Sequence, residues 1–193
     1  MPSLPLAKLL NWILRTCNGT QDAADSVGDW WWNRRVQSGR PVQQIGTGWP
    51  SSSGGHVSAA LSGRPVVHEV FDARFPLGSH IELTREIDAM VVAPATANLM
   101  AQFAQGMASD LISTLYLQNT SPVLLAPAMS DPMWNHVAVQ RNVEILREDG
   151  CHLVGPEDGW LSCRVKGTGR MSEPVTILKT LETLFSDRAT QID

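Results

Sequence analysis

Residues 89–98 read AMVVAPATAN and residues 122–131 read PVLLAPAMSD. Each is a continuous apolar run ending in Ala-Pro-Ala, as expected of a strand buried on both faces of a parallel sheet. Proline at the end of such a run removes a ladder donor and stops the pairing. Between the two runs, Leu99, Phe103, Met107, Leu111 and Leu115 recur every fourth residue as an apolar helical column. Gly106 interrupts that column, and Ser109-Asp110 supply caps for a second helix. Upstream, Arg64–Phe71 (RPVVHEVF) reads as a short β-branched strand, and residues 79–88 as a short helix with Ser79 as its N-cap. Downstream, Asn135–Asp149 reads as a helix with Val139, Val143 and Leu146 inward, closed by Gly150. Cys151–Pro156 reads as a strand, and Ser172-Glu173-Pro174 opens a last helix with Val175, Leu178, Leu181 and Leu184 on one face. Strands and helices alternating at these lengths call for parallel pairing with right-handed crossovers. The expected architecture is one doubly wound α/β domain, a mainly parallel sheet flanked by helices in the flavodoxin-like or Rossmann-like manner.

The composition agrees with one ordinary domain. The chain has 193 residues, 43% of them hydrophobic and 18% charged, enough apolar matter for a real core. A net charge of −4 gives no bulk attraction for nucleic acid or an anionic membrane. No apolar run approaches the roughly 18 residues of a membrane span. The stretch Leu4–Leu14 carries Lys8 and lacks a small-residue cleavage site, so it does not read as a signal peptide. Cys17, Cys151 and Cys163 form no Cys-x-x-Cys pair, which points to a reducing, cytoplasmic setting without a disulfide framework or a metal site. Residues 60–186 carry the regular alternation, and 187–193 read as a tail. Residues 1–59 form an atypical segment holding Trp12, Trp30, Trp31, Trp32 and Trp49, five of the seven tryptophans, with no sustained period.

In open α/β sheets ligands bind outside the carboxyl ends of the strands. Two equivalent Ala-Pro-Ala ends therefore mark a crevice lined by Thr96, Ala97 and Asn98 on one side and Met129, Ser130 and Asp131 on the other. No Gly-x-Gly-x-x-Gly, Walker loop or His-Glu-x-x-His occurs, and Gly54-Gly55 follows no strand, so it is a weak phosphate loop. The stretch Gly159–Met171 (GWLSCRVKGTGRM) holds three glycines and Cys163, and reads as a mobile flap.

Taken together, these residues resemble the flavin-dependent cysteine decarboxylases, including those that act on 4′-phosphopantothenoylcysteine in coenzyme A synthesis. The resemblance runs from about Ala60 to Phe185. His80-Ile81-Glu82-Leu83 matches the family's His-Ile-Glu-Leu, and Pro94-Ala95-Thr96-Ala97-Asn98 its Pro-Ala-Ser-Ala-Asn-type flavin motif. Residues 127–134 (PAMSDPMW) match Pro-x-Met-Asn-x-x-Met-Trp at all but Ser130, and Cys163 with Gly167–Met171 match the substrate flap. The resemblance implies FMN as cofactor and a reaction in which the substrate thiol is oxidised to a thioaldehyde, the adjacent carboxylate leaves as carbon dioxide, and the enethiol is then reduced. It implies His80 as base or orienter, Cys163 as proton donor, and Thr96, Ala97, Asn98, Leu99 and Ala128 as flavin contacts. Ser130, Met133 and Arg85 would meet the substrate. It also implies a homotrimer or larger assembly acting on a small cysteinyl substrate, with no nucleic acid and no membrane. The alternatives are a peptidyl-cysteine decarboxylase and a non-catalytic relative that has lost FMN.

Two departures stand out. Where the family has Asn, Ser130 can make one short hydrogen bond but reaches less far than an amide. Family members also open with an apolar strand and a Thr-Gly-Ser/Gly-Ile-Ala-Ala-Tyr-Lys-like turn, whose helix amides hold the FMN phosphate. Residues 1–59 show no such segment. Tryptophan has one codon, so Trp30-Trp31-Trp32 is written TGGTGGTGG. Read from the second base of the Asp29 codon, that stretch gives Gly-Gly-Gly, and permitted codons extend it to Thr-Gly-Gly-Gly-Ile-Ala-Ala-Tyr-Lys. Residues from before Asp29 to near Ser58 are thus expected to be a frame-shifted reading of the phosphate segment.

Overall fold

A computed structural model describes residues 12–16, 42–46, 66–85, 87–161 and 163–190. Five strands form one parallel sheet: β1 (Trp12–Thr16), β2 (Val42–Gly46), β3 (Ala89–Ala95), β4 (Val123–Pro127) and β5 (His152–Leu153). Their spatial order is β2-β1-β3-β4-β5. The order reverses between β1 and β3, and a crevice opens at such a switch point, outside the carboxyl ends of the strands.

Side-chain alternation on β3 and β4 explains why both runs are wholly apolar. Met90, Val92, Val123 and Leu125 join one core cluster, and Ala89, Val91, Ala93, Leu124 and Ala126 the other, on the opposite face. The first face is covered by α1 (Ser79–Arg85), α2 (Ala97–Ala104), α3 (Leu111–Gln118) and α5 (Val137–Glu148), through Leu83, Leu99, Phe103, Leu111, Leu115, Val143 and Leu146. Ile177, Leu178 and Leu181 of α6 (Pro174–Thr190) cover the second. The short α4 (Asp131–Trp134) precedes α5, and β6 (Glu157–Trp160) pairs with β7 (Lys166–Arg170) as an antiparallel hairpin.

The expected strands β3 and β4 form, as do the break at Gly106 (φ 62) and the cap at Asp110, whose carboxylate accepts from Ser113 N–H at 2.9 Å. Gly150, at φ 84, ends α5. Several details differ. Among residues 66–71 there is only an isolated bridge at Val67, where a strand was expected. The first helix stops at Arg85, and Ser79 is its first residue, its hydroxyl buried without a hydrogen-bond partner. The helix end is served instead by Glu82, whose Oε1 accepts from Leu77 N–H at 2.8 Å. Met107 falls beyond α2 and is exposed, and Val175 is exposed while Ile177 takes its place in the core. The helix expected over 135–149 forms over Val137–Glu148, starting two residues later because His136 is its N-cap, with Nδ1 accepting from Ala138 N–H. The strand expected over 151–156 narrows to two residues, and α6 runs to Thr190, into the expected tail.

β1 and β2 come from the segment read as atypical, where no opening strand was expected. β1 pairs with β3 through Trp12↔Ala89 and Ile13↔Met90, and with β2 through Trp12↔Val42 to Thr16↔Gly46. Trp30-Trp31-Trp32 and Gly54-Gly55 lie outside the described residues. Among the described residues no helix is long and apolar enough to cross a membrane, and no group of three His, Cys, Asp or Glu side chains is placed to hold a metal ion.

One polar contact sits inside the core. The Cys151 Sγ lies 3.5 Å from Tyr116 Oη, and the Phe103 ring stacks on Tyr116 with centroids 4.1 Å apart. Burial pushes both the Tyr116 phenol and the Cys151 thiol above their usual ranges. A thiol that stays neutral when folded but ionises near about 8.5 when unfolded stabilises the fold below that pH, and the contribution is lost as pH rises towards its folded value. Urea unfolding of the wild type should therefore show stability falling as pH rises above about 8.5, and Cys151→Val should flatten that slope. Equal slopes would refute the linkage.

Candidate active site

The sheet edge above the switch point is built from the two strand ends. Pro94 and Pro127 carry no N–H for the ladder, and the β3–β4 register shifts between Val92 and Ala95. The ends remain joined, because Ala128 N–H donates to Ala95 O at 3.1 Å. Beyond β3 the chain turns at once into α2. Thr96 is the N-cap, in extended conformation, and its Oγ1 accepts from Leu99 N–H at 3.4 Å. The amides of the first turn of any helix lack intrahelical acceptors, so those of Ala97 and Asn98 face outward with a half-buried methyl group and an exposed amide side chain. The Leu99 side chain is fully buried in the core and its N–H is already given to Thr96, so it supports the turn rather than offering a donor.

His80 begins the α1 turn. The preceding loop is fastened by Ser79 N–H donating to Val70 O at 2.9 Å. Gly78 has φ 96, and a Cβ there would lie 3.0 Å from His80 Cε1 and 3.3 Å from Nδ1. Opposite, the Phe71 ring meets the imidazole edge-on, centroids 6.1 Å apart at 88°. The ring is thus fixed by a glycine and an aromatic, while its buried Nδ1 has no hydrogen-bond partner. Burying such an atom costs free energy unless a partner arrives. Arg85 is exposed at the other end of α1, about 7.5 Å along the helix axis from His80. The structure does not bring those two side chains together.

The second wall follows β4. Ser130 is the N-cap of α4 by backbone conformation (φ −70, ψ 153), but its side chain makes no capping bond, which leaves the hydroxyl available. Met133 is about half exposed one turn on. The hairpin is rooted here. Met129 N–H donates to Gly169 O at 3.0 Å, and Thr168 N–H to Asp131 Oδ1 at 2.8 Å. The stretch expected to be a mobile flap forms a paired hairpin with a short tip. Leu161 N–H donates to Val165 O and Arg164 N–H to Leu161 O, both at 2.9 Å, with Arg164 at φ 62. Cys163 is exposed at that tip.

The structure so gathers Thr96, Ala97, Asn98 and Ala128 at adjoining strand ends, and Ser130 and Met133 beside the hairpin root. Phe71 and Gly78 were not among the expected site residues, and Gly167 and Gly169 were expected only as part of the flap, not as contact points on the β4 wall. Only the Gly-x-Gly inside a strand carried a signal, since such glycines mark close backbone approach.

The Flavoprotein family model matches residues 46–186. Over 130 residues the chain is 40% identical to the coenzyme A biosynthesis bifunctional protein CoaBC of Haemophilus influenzae, covering 67% of this chain and 32% of that one. It spans about a third of the length of the curated relatives it matches. A solved structure of a cysteine-to-serine mutant of PPC decarboxylase, complexed with pantothenoylaminoethenethiol, superposes with a TM-score of 0.76 at 25% identity, over 92% of this chain and 99% of that one. The FMN-dependent cysteine decarboxylase SpaF gives 0.73 at 26% identity, over 90% and 98%.

Gly78→Ala should lower stability by about 1–2 kcal/mol, since a Cβ at positive φ is strained, and should shift the His80 Cε1–H resonance. An unmoved resonance would show that Gly78 does not set the ring.

Proposed function

Because the chain belongs to the Flavoprotein family, we propose that it decarboxylates 4′-phosphopantothenoylcysteine to 4′-phosphopantetheine with FMN, a step of coenzyme A synthesis. The observation that carries this reading is the hairpin with Cys163 at its tip, rooted by Gly167–Gly169 on the wall that presents Ser130. A thiol on a lid, joined to the wall that would grip a carboxylate, is the arrangement that a protonated decarboxylation product requires.

The residues present fit a flavin. Half-buried methyls at Ala97 and Ala128 leave the strand ends open to a flat ring, and the buried Nδ1 of His80 lacks a partner. When bound, FMN would supply two-electron redox chemistry at the cysteinyl end of the substrate. Backbone amides at Thr96, Ala97 and Asn98 would hold the ring beside Ala128, while Leu99, whose amide is already given to Thr96 Oγ1, would support that turn from the core. His80, fixed by Gly78 and Phe71, would accept or steer the substrate proton. The Ser130 hydroxyl would hold the substrate carboxylate, with the Met133 thioether packed beside it. The closed hairpin would exclude water and let Cys163 deliver a proton to the enethiol carbon. Arg85, at the far end of α1, would meet only a distant anionic group. A homotrimer or larger assembly in the cytoplasm belongs to the same reading, supported by exposed Phe71 and Leu77 near His80.

The test is to pass the purified protein with FMN through gel filtration, record the visible spectrum, and assay carbon dioxide release from phosphopantothenoylcysteine and from a peptide ending in cysteine. Retained flavin bands with turnover of the small substrate are expected. Turnover of the peptide alone would favour the peptidyl reading, and a colourless protein would refute FMN catalysis by this chain. Ser130→Asn should lower KM about three- to tenfold, the worth of one net hydrogen bond, with kcat little changed.

A further inference from the structure

The contacts at the hairpin root assign a role to Asp131, and we propose that its carboxylate is a positioning latch that holds the Cys163 hairpin over the substrate wall. This inference rests on the decarboxylase reading for its chemistry, but not for its geometry.

Asp131 is the first residue of α4, where a carboxylate ordinarily turns to the free amides of its own helix. Here Oδ1 instead accepts from Thr168 N–H, 37 residues away, at 2.8 Å. The approach is close because the facing residues are glycines. A Cβ on Gly167 would lie 2.7 Å from Asp131 Cβ, and a Cβ on Gly169 would lie 2.2 Å from Met129 O. Thr168 Oγ1 is engaged in turn by Asp158 on the other hairpin strand. The latch therefore reaches through β7 into β6, and it brackets Ser130 from one side while the Met129–Gly169 bond brackets it from the other.

Leverage makes one hydrogen bond matter. Cys163 lies four residues beyond Gly167, about 13 Å of extended chain. A tilt of about 10° at the root carries the tip about 2 Å, and a misplacement of about 1 Å can cost a hundredfold in a positioned step. Oxidation and loss of carbon dioxide need the substrate held at the Ser130 wall, but protonation of the enethiol needs the tip. Losing the latch should therefore spare the first half of the reaction and impair the second. The enethiol would leave before it gains its proton and hydride, with the two electrons still on the flavin.

The variants are Asp131→Ala, which removes the acceptor, and Asp131→Asn, whose amide oxygen keeps one. Amide exchange reads the latch without cofactor or substrate. Thr168 N–H should exchange about tenfold faster in the alanine variant and near the wild-type rate in the asparagine variant. Under anaerobic single turnover, the alanine variant should release carbon dioxide within twofold of the wild-type rate while enethiol accumulates, and asparagine should restore the saturated thiol. Unchanged exchange at Thr168, or carbon dioxide release and saturated product falling together, would overturn the proposal. A wild type that releases no carbon dioxide would refute the decarboxylase reading, and the latch would then stand or fall on amide exchange.

Discussion

The parallel pairing of β3 with β4 is the constraint on which everything else hangs. Met90↔Val123, Val91↔Leu124 and Val92↔Leu125 are all buried pairs, so both faces of this ribbon must be covered. Covering one face demands α1, α2, α3 and α5, and covering the other demands α6. The ribbon also sets where chemistry can occur. It ends abruptly at two prolines, and the freed chains turn outward into α2 on one side and α4 on the other. Two helix starts are thereby presented at one sheet edge, beside the switch point, by a scaffold that cannot shift without exposing core.

Those walls differ in character. On the β3 side, Thr96 spends its hydroxyl on its own helix and Leu99 spends its side chain in the core, so the chain offers mostly backbone and methyl surface. That suits a broad, flat ligand bound through its edges. On the β4 side, Ser130 keeps its hydroxyl, Met133 stays partly exposed, and Asp131 turns away from its helix. That suits a small ligand with specific polar ends. The two walls meet at the strand ends, where Ala95 pairs with Pro127 and Ala128 N–H donates to Ala95 O.

What the sequence made legible follows the range of the forces involved. β3, β4, the apolar column apart from Met107, and the Asp110 cap are local patterns, and each is present. The flavin-type motif and the flap cysteine were legible as motifs, and the structure places them at strand ends and a hairpin tip. Arg64–Phe71 misled because β-branched residues favour strands only where a partner strand exists, and Val67 has no more than a bridge. The β6–β7 hairpin was hidden for the converse reason. KGTGR and EDGW have poor strand propensity, and pairing is imposed on them by position. Asp131 offered no signal of its role, because its partner is 37 residues away. β1 and β2 were illegible in a segment without period, since backbone pairing is indifferent to the side chains it carries.

The glycines of the hairpin bear on how such a lid works. Glycine in a flap is usually taken as a source of freedom, yet Gly167 and Gly169 serve contact. Any side chain at either would strike Asp131 or Met129, so their absence of bulk is what lets β7 lie against the β4 wall. Gly78 acts alike beneath His80, where positive φ and a 3.0 Å approach leave room for nothing larger. In both places a missing side chain holds a reactive group in place. A lid rooted this way does not swing on a loose hinge. Its base is part of the wall that follows β4, and the residues around Cys163 and Arg164 form the tip beyond the paired strands. Under the proposed function, motion that admits substrate would be bending of the tip or release of the root, and the root is held by the Met129–Gly169 and Asp131–Thr168 hydrogen bonds, whose loss costs little enough to be reversible.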